Sequence, residues 1–180
     1  MGLIRSGAEP VLLFSGFLFH DADILKQALE SLTAAWGPVL IESEPFDFTH
    51  TDYYRKEMGE GLKRKFVAFA DLIAPTDLAK IKVASNRIED GLAVSGKRRI
   101  NIDPGYLDFA KLVLASTKDF SHRLCLGENI FGEVSMRYAK GQFQPLEWTY
   151  PDYREPQTLD FLNHARQLYA ARRSQTVSGA

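Results

Sequence analysis

Between positions 101 and 133 the chain collects side chains that hold anions and move protons: Asn101, Asp103, Lys118, Asp119, His122, Arg123 and Glu133. Arg and Lys offer charge-assisted donors to a phosphate or carboxylate. His titrates near neutrality, and a carboxylate can accept a proton beside it. Asp103 and His122 are therefore the candidates for proton transfer, and Asn101, Lys118, Asp119, Arg123 and Glu133 the candidates for holding the ligand. If Gly127-Glu128-Asn129 closes a three-residue hairpin, Arg123 stands directly across from Glu133. The competing reading of that pair is a cross-strand salt bridge worth at most about 1 kcal/mol.

Other constellations are weaker. Asp47, Asp52, Glu57 and Glu60 lie beside Tyr53 and Tyr54. Asp47, Asp52 and Glu57 are hard oxygen donors suited to Mg²⁺ or Ca²⁺, although without an ordered loop pattern a solvated acidic loop explains them as well. Lys63-Arg64-Lys65 and Lys97-Arg98-Arg99 each enter a strand. They read as phosphate or RNA contacts, or as exposed charges that deter edge pairing. Residues 91 to 97 match the first seven positions of a phosphate-binding P-loop, but Arg98 replaces the Ser or Thr that reaches Mg²⁺, and a helix precedes the loop where a strand is required. In His20-Asp21, the aspartate is better explained as a helix N-cap than as a metal ligand. Lys82, Asn86 and Glu89 share a helix face, which matters only if that face turns inward.

The elements that position these groups follow from periodicity. Val11 to Phe19 is an apolar run of strand length. Ile24, Leu25, Ala28, Leu29, Leu32 and Trp36 recur at helical spacing before a Gly37-Pro38 stop. Val39 to Ile41 is a second strand, residues 46 to 61 a structured loop or short helix, and Lys65 to Ile73 a third, centrally buried strand. Pro75-Thr76-Asp77 opens a helix that Gly91 closes, with Leu78, Ile81, Ser85 and Ile88 on one face. Arg99 to Asp103 alternates, turning Ile100 and Ile102 to the core and Asn101 and Asp103 away from it, and Pro104-Gly105 ends the strand. Leu112 to Ala115 is a short strand. His122 to Leu126, Ile130 to Tyr138 and Phe143 to Trp148 form a meander, and Trp148 to Arg154 a clasp for a last helix starting at Glu155-Pro156.

This order predicts an α+β fold: a ferredoxin-like βαββαβ core with both helices on one face of an antiparallel sheet, an added C-terminal antiparallel β-meander and a terminal helix. The opposite sheet face is expected to be open. One domain spans 1–173, followed by a disordered tail at 174–180.

Composition sets the outer bounds. The 180 residues are 45% hydrophobic, 25% charged and 12% aromatic, and a net charge of −1 leaves no bulk field to recruit nucleic acid. Cys125 is the single cysteine, which removes disulfide scaffolds and thiolate metal clusters and suits a reducing compartment. With no apolar run of signal-peptide or membrane-spanning length, the chain reads as cytoplasmic, without membrane contact.

FDFT…YYRKEMG (46 to 59), IK…SNRIE (81 to 89), RRINIDPGYL (98 to 107), KLVLASTKDFSHRL (111 to 124) and FGEV with WTYPDYR (131 to 154) together resemble a family of uncharacterised prokaryotic proteins, domain-of-unknown-function family 4416. The resemblance spans nearly the whole chain. It implies a cytoplasmic single-domain protein and brings no catalytic residues or cofactor to carry over. The expected function is binding, with or without turnover, of a small phosphorylated or carboxylated ligand on the open sheet face. The alternatives are a non-catalytic protein- or RNA-interaction module, or a structural homodimer, using the same face.

Overall fold

A computed structural model describes residues 7–51 and 54–178. Strand β1 (Val11–Phe19) is buried along its whole length, as its two-sided apolar run requires. Helix α1 (Ala22–Trp36) starts at Asp21, whose carboxylate accepts from the Asp23 amide at 2.8 Å. Strands β2 (Val39–Glu42) and β3 (Phe46–Asp47), the short helix α2 (Arg55–Met58) and strand β4 (Lys63–Ile73) follow. A 3₁₀ turn (Pro75–Asp77) leads into α3 (Leu78–Leu92). The rest comprises β5 (Ile100–Leu107), β6 (Lys111–Ser116), β7 (Leu124–Gly127), β8 (Ile130–Ala139), β9 (Gln142–Pro145), a 3₁₀ turn (Pro151–Arg154) and α4 (Pro156–Ser178).

The fold is α+β, built on one large sheet. Its strands run β2-β4-β1-β5-β6-β8-β7, with β3 beside β2 on β4 and β9 beside β7 on β8, and every pairing is antiparallel. This is not a simple βαββαβ sheet, because β3 is inserted and the meander β6 to β9 continues the sheet beyond β5.

One face packs Leu13, Phe17, Val67, Phe69, Ile100 and Ile102 against α1 and α3. The other face was expected to be open, and half of it is not. Leu12, Phe14, Phe66, Ala68, Leu107 and Leu112 pack against Phe161, Leu162, Ala165 and Tyr169 of α4, whose apolar stripe has to be buried somewhere. Only the polar end, around Arg64, Asn101 and Asp103, lies beyond this cluster. Helix α4 also continues to Ser178, where the sequence suggested a tail from 174.

The sheet forks. β5 pairs with β6 only at Gly105↔Leu114, Tyr106↔Val113 and Leu107↔Leu112, yet β5 follows β1 back to Ile100 and β6 follows β8 on to Ser116. In the gap, the Ile102 amide donates to Glu89 Oε1 at 2.7 Å, and its carbonyl accepts from Lys82 Nζ at 2.7 Å. Two side chains of α3 thus stand in for a missing strand. Pro104 was expected to end β5. It does not, because two residues beyond Ile102 its nitrogen also points into the gap, where no strand needs a donor. Gly105 marks where the two halves close: a Cβ there would strike the Val113 carbonyl and the Phe14 ring.

The P-loop-like segment is a tight turn between α3 and β5, with paired Val94 and Lys97 backbones, so it has the helix-loop-strand context that the sequence indicated.

Candidate functional site

The fork holds a cavity of about 1050 Å³, at the upper end of the range for small-molecule sites. Its floor comes from the centre of the sheet. Gly16 of β1 is in register with Phe66 of β4 on one side and Asp103 of β5 on the other. A Cβ on Gly16 would come within 2.9 Å of the Tyr153 hydroxyl and 3.1 Å of Arg64 Nη1, so the missing side chain makes room for both. Arg64, only 4% exposed, reaches Asp152 at 2.6 Å and Asp103 at 3.3 Å, and its guanidinium lies against the rings of Phe48, Phe66 and Tyr153. The Arg64 Nε and the Tyr153 hydroxyl are buried without hydrogen-bond partners.

Asp103 holds its charge. Burial alone would raise its pKa, but Lys82, Arg64 and the Asn101 amide outweigh burial and hold it below the usual range. Asn101 Nδ2 donates to Asp103 Oδ2 at 2.7 Å, and Lys82 Nζ lies 3.8 Å from Oδ1. Glu89 behaves oppositely: burial pushes its pKa up, and Lys82 and the Ile102 amide offset that only in part. Burial also raises Tyr54 and Tyr153 further above neutrality, so both hydroxyls keep their protons there.

Two arginine clamps form the walls. Arg98 grips Glu57 of α2 through Nε and Nη2, each at 2.6 Å, while Nη1 donates to Asn101 at 3.0 Å and Glu89 at 3.3 Å. These bonds hold the Glu57 carboxyl below its ordinary range. Across the fork, Arg123 donates to Glu133 at 2.7 Å, Ser116 at 3.2 Å, the Lys118 carbonyl at 2.9 Å and the Tyr150 hydroxyl at 2.8 Å. Glu133 also accepts from Ser135 and contacts His122 Nε2 at 3.0 Å. His122 in turn is stacked on Trp148 with ring planes 10° apart.

Asn101, Asp103, Lys118, Arg123 and Glu133 all line this cavity. His122 does not line it and stands behind Glu133, and the exposed Asp119 lies outside the lining. The Arg123–Glu133 contact expected across the hairpin is present, although the turn has two residues, Glu128-Asn129, with an irregularity at Leu126. Of the proposed metal ligands, Asp47 is exposed on β3, Glu57 is taken up by Arg98, and Asp52 lies outside the described residues. No group of three or more metal-ligating side chains occurs among the described residues.

Sequence reasoning missed Asp152 and Tyr153 as site residues, saw Arg64 and Arg98 only as strand-entry phosphate contacts or exposed charges, and left Lys82 and Glu89 conditional on their helix face turning inward, which it does. Some signals were available. With β4 extended back to Lys63, Arg64 shares a face with Phe66 and Ala68 and must turn inward. Lys82 and Glu89, seven apart, sit on the same side of α3. Trp148 to Arg154 does clasp α4, through the Asp152 carbonyl and the Thr158 hydroxyl at 2.8 Å, but it also supplies Tyr150, Asp152 and Tyr153 to the cavity wall.

No helix among the described residues is long and apolar enough to cross a membrane. Comparison with curated proteins and with solved structures returns no match to either. A family model does match residues 9–169, from just before β1 to well inside α4, and so takes in the fork, both clamps and the buried Arg64. The chain accordingly belongs to the family described as Domain of unknown function (DUF4416).

Proposed function

We propose that this chain binds a small polar ligand in the cavity at the sheet fork. The observation that carries this reading is convergence: charged and amide side chains from α2, α3, β4, β5, β8 and the Pro151–Arg154 turn meet around one cavity. Ligand sites have this form, whereas a docking module would present an exposed apolar or basic face. Within it, Asp103 is the group placed to bind or deprotonate a ligand, and His122 acts through Glu133 rather than on the ligand. A phosphorylated or carboxylated molecule is one version of this reading, with Lys118 on the cavity wall as its counter-charge. We further read β1-α1-β2-β4-α3-β5 as a ferredoxin-like unit, in the strand order β2-β4-β1-β5, that the meander extends.

The test is a thermal-shift screen of metabolites, because a ligand that binds only the folded chain raises its melting temperature. The reading expects hits whose shift is lost in Asp103→Asn; hits that persist unchanged in that variant would place binding elsewhere. A second reading rests on a different observation. Phe120, Leu124, Leu126 and Trp148 are exposed along or beside the edge strand β7, where a partner could add. A strictly monomeric species by light scattering at high concentration would remove the homodimer form of that reading.

A further inference from the structure

Resting on that reading, we infer that the ligand is an uncharged, hydroxyl-rich molecule of the sugar or polyol class rather than a phosphorylated one. The reason is what the arginines are already doing. A guanidinium has five N–H donors, and both Arg98 and Arg123 spend four hydrogen bonds within the protein. Arg64 is fixed between Asp103 and Asp152, and Lys82 is held by the Ile102 carbonyl with Asp103 and Glu89 beside it. These cations brace the walls. A phosphate dianion needs several charge-assisted donors, and here it would have to strip carboxylates from them. The described lining carries five cationic side chains against six carboxylates, so no positive potential draws a dianion in.

The surfaces that remain suit hydroxyls. Asp103 stays ionised, and its Oδ1 has Lys82 only at 3.8 Å, which leaves acceptor capacity for a ligand O–H. Asn86, half-buried on the same lining, adds an amide that both donates and accepts, as a hydroxyl requires. The Ser116 hydroxyl accepts from Arg123 and from the Lys118 amide, and so keeps its own proton to donate. Phe48 and Tyr150 add aromatic surface to the same lining, against which the C–H side of a sugar ring can pack. An uncharged ligand also avoids the large desolvation cost of a dianion.

The test is a matched panel at millimolar concentration: D-glucose, D-ribose and myo-inositol against glucose 6-phosphate, ribose 5-phosphate, inorganic phosphate and pyrophosphate. Thermal shift and saturation-transfer NMR read the binding. The uncharged members are expected to raise the melting temperature by about 3 °C near saturation and to show saturation transfer. Binding should weaken at least tenfold in Asp103→Asn and, as a change to an uncharged lining residue that leaves the carboxylates and cations in place, in Asn86→Ala. Hits confined to the phosphorylated members, weakening as salt is raised, would overturn the inference while leaving the cavity a ligand site. Uncharged hits indifferent to both substitutions would overturn it by placing binding elsewhere. No response from any member would overturn the inference and remove the support for the site together.

Discussion

The Tyr153 hydroxyl, buried without a hydrogen-bond partner, sits beside Gly16 and Arg64 at the cavity floor. An unpaired buried polar group costs roughly 1–3 kcal/mol. Tyr153→Phe should therefore be neutral or stabilising by about 1 kcal/mol in urea unfolding, and a clear loss of stability would mean that the hydroxyl has a partner in solution. Gly16→Ala tests the same spot from below. Its methyl would approach Tyr153, Phe66 and Arg64 at 2.9, 3.0 and 3.1 Å, so no single group can give way to relieve it. The expected loss is about 1–3 kcal/mol. Adding Tyr153→Phe removes the nearest atom and should recover part of that loss; strict additivity would assign the clash to Phe66 or Arg64 instead. None of this was legible in the residue types. Gly16 lies in an apolar run interrupted only by Ser15, and its meaning depends on Arg64 and Tyr153, which arrive 48 and 137 positions later.

The elements were more legible than the residues, because β1 and α1 announce themselves locally through a two-sided apolar run, an Asp cap and a Gly stop. The fork did not. A proline ends a strand only where a neighbouring strand needs its N–H, and the sequence around Pro104 cannot say that β6 turns away there. What replaces the absent neighbour is the Lys82 and Glu89 pair on α3, and that substitution can be tested. Glu89→Leu should cost about 1–3 kcal/mol by leaving the Ile102 amide unpaired, whereas Glu89→Gln keeps an acceptor and should cost less. Hydrogen exchange at Ile102 separates the two: the amide should lose protection in the leucine variant and retain it in the glutamine variant. Equal protection in both would show that another group or water carries that bond.

At the scale of the whole molecule, a net charge of −1 conceals strict local bookkeeping. The described arginines of the cavity, distributed over β4, the α3–β5 turn and the segment before β7, each meet carboxylates supplied by other segments. The sequence showed the 101–133 cluster because those groups lie close along the chain. It could not show the pairings to Glu57 or Asp152, which exist only once the sheet has formed. This arrangement predicts how stability depends on pH. Asp103 and Glu57 titrate below their ordinary range in the folded chain, so they contribute stability above about pH 4 that is lost as pH falls through their folded values. Glu89 titrates above its ordinary range, so the folded chain binds its proton more tightly than the unfolded chain does, and its contribution grows as pH falls toward that range. The urea midpoint should therefore hold or rise between about pH 7 and about pH 5, then fall below about pH 4. Glu89→Gln should flatten the first limb and Asp103→Asn the second. A limb between about pH 7 and about pH 5 that is unchanged in Glu89→Gln would instead mean that Lys82 and the Ile102 amide offset the burial of Glu89 in full, so that it binds its proton equally in the folded and unfolded chain.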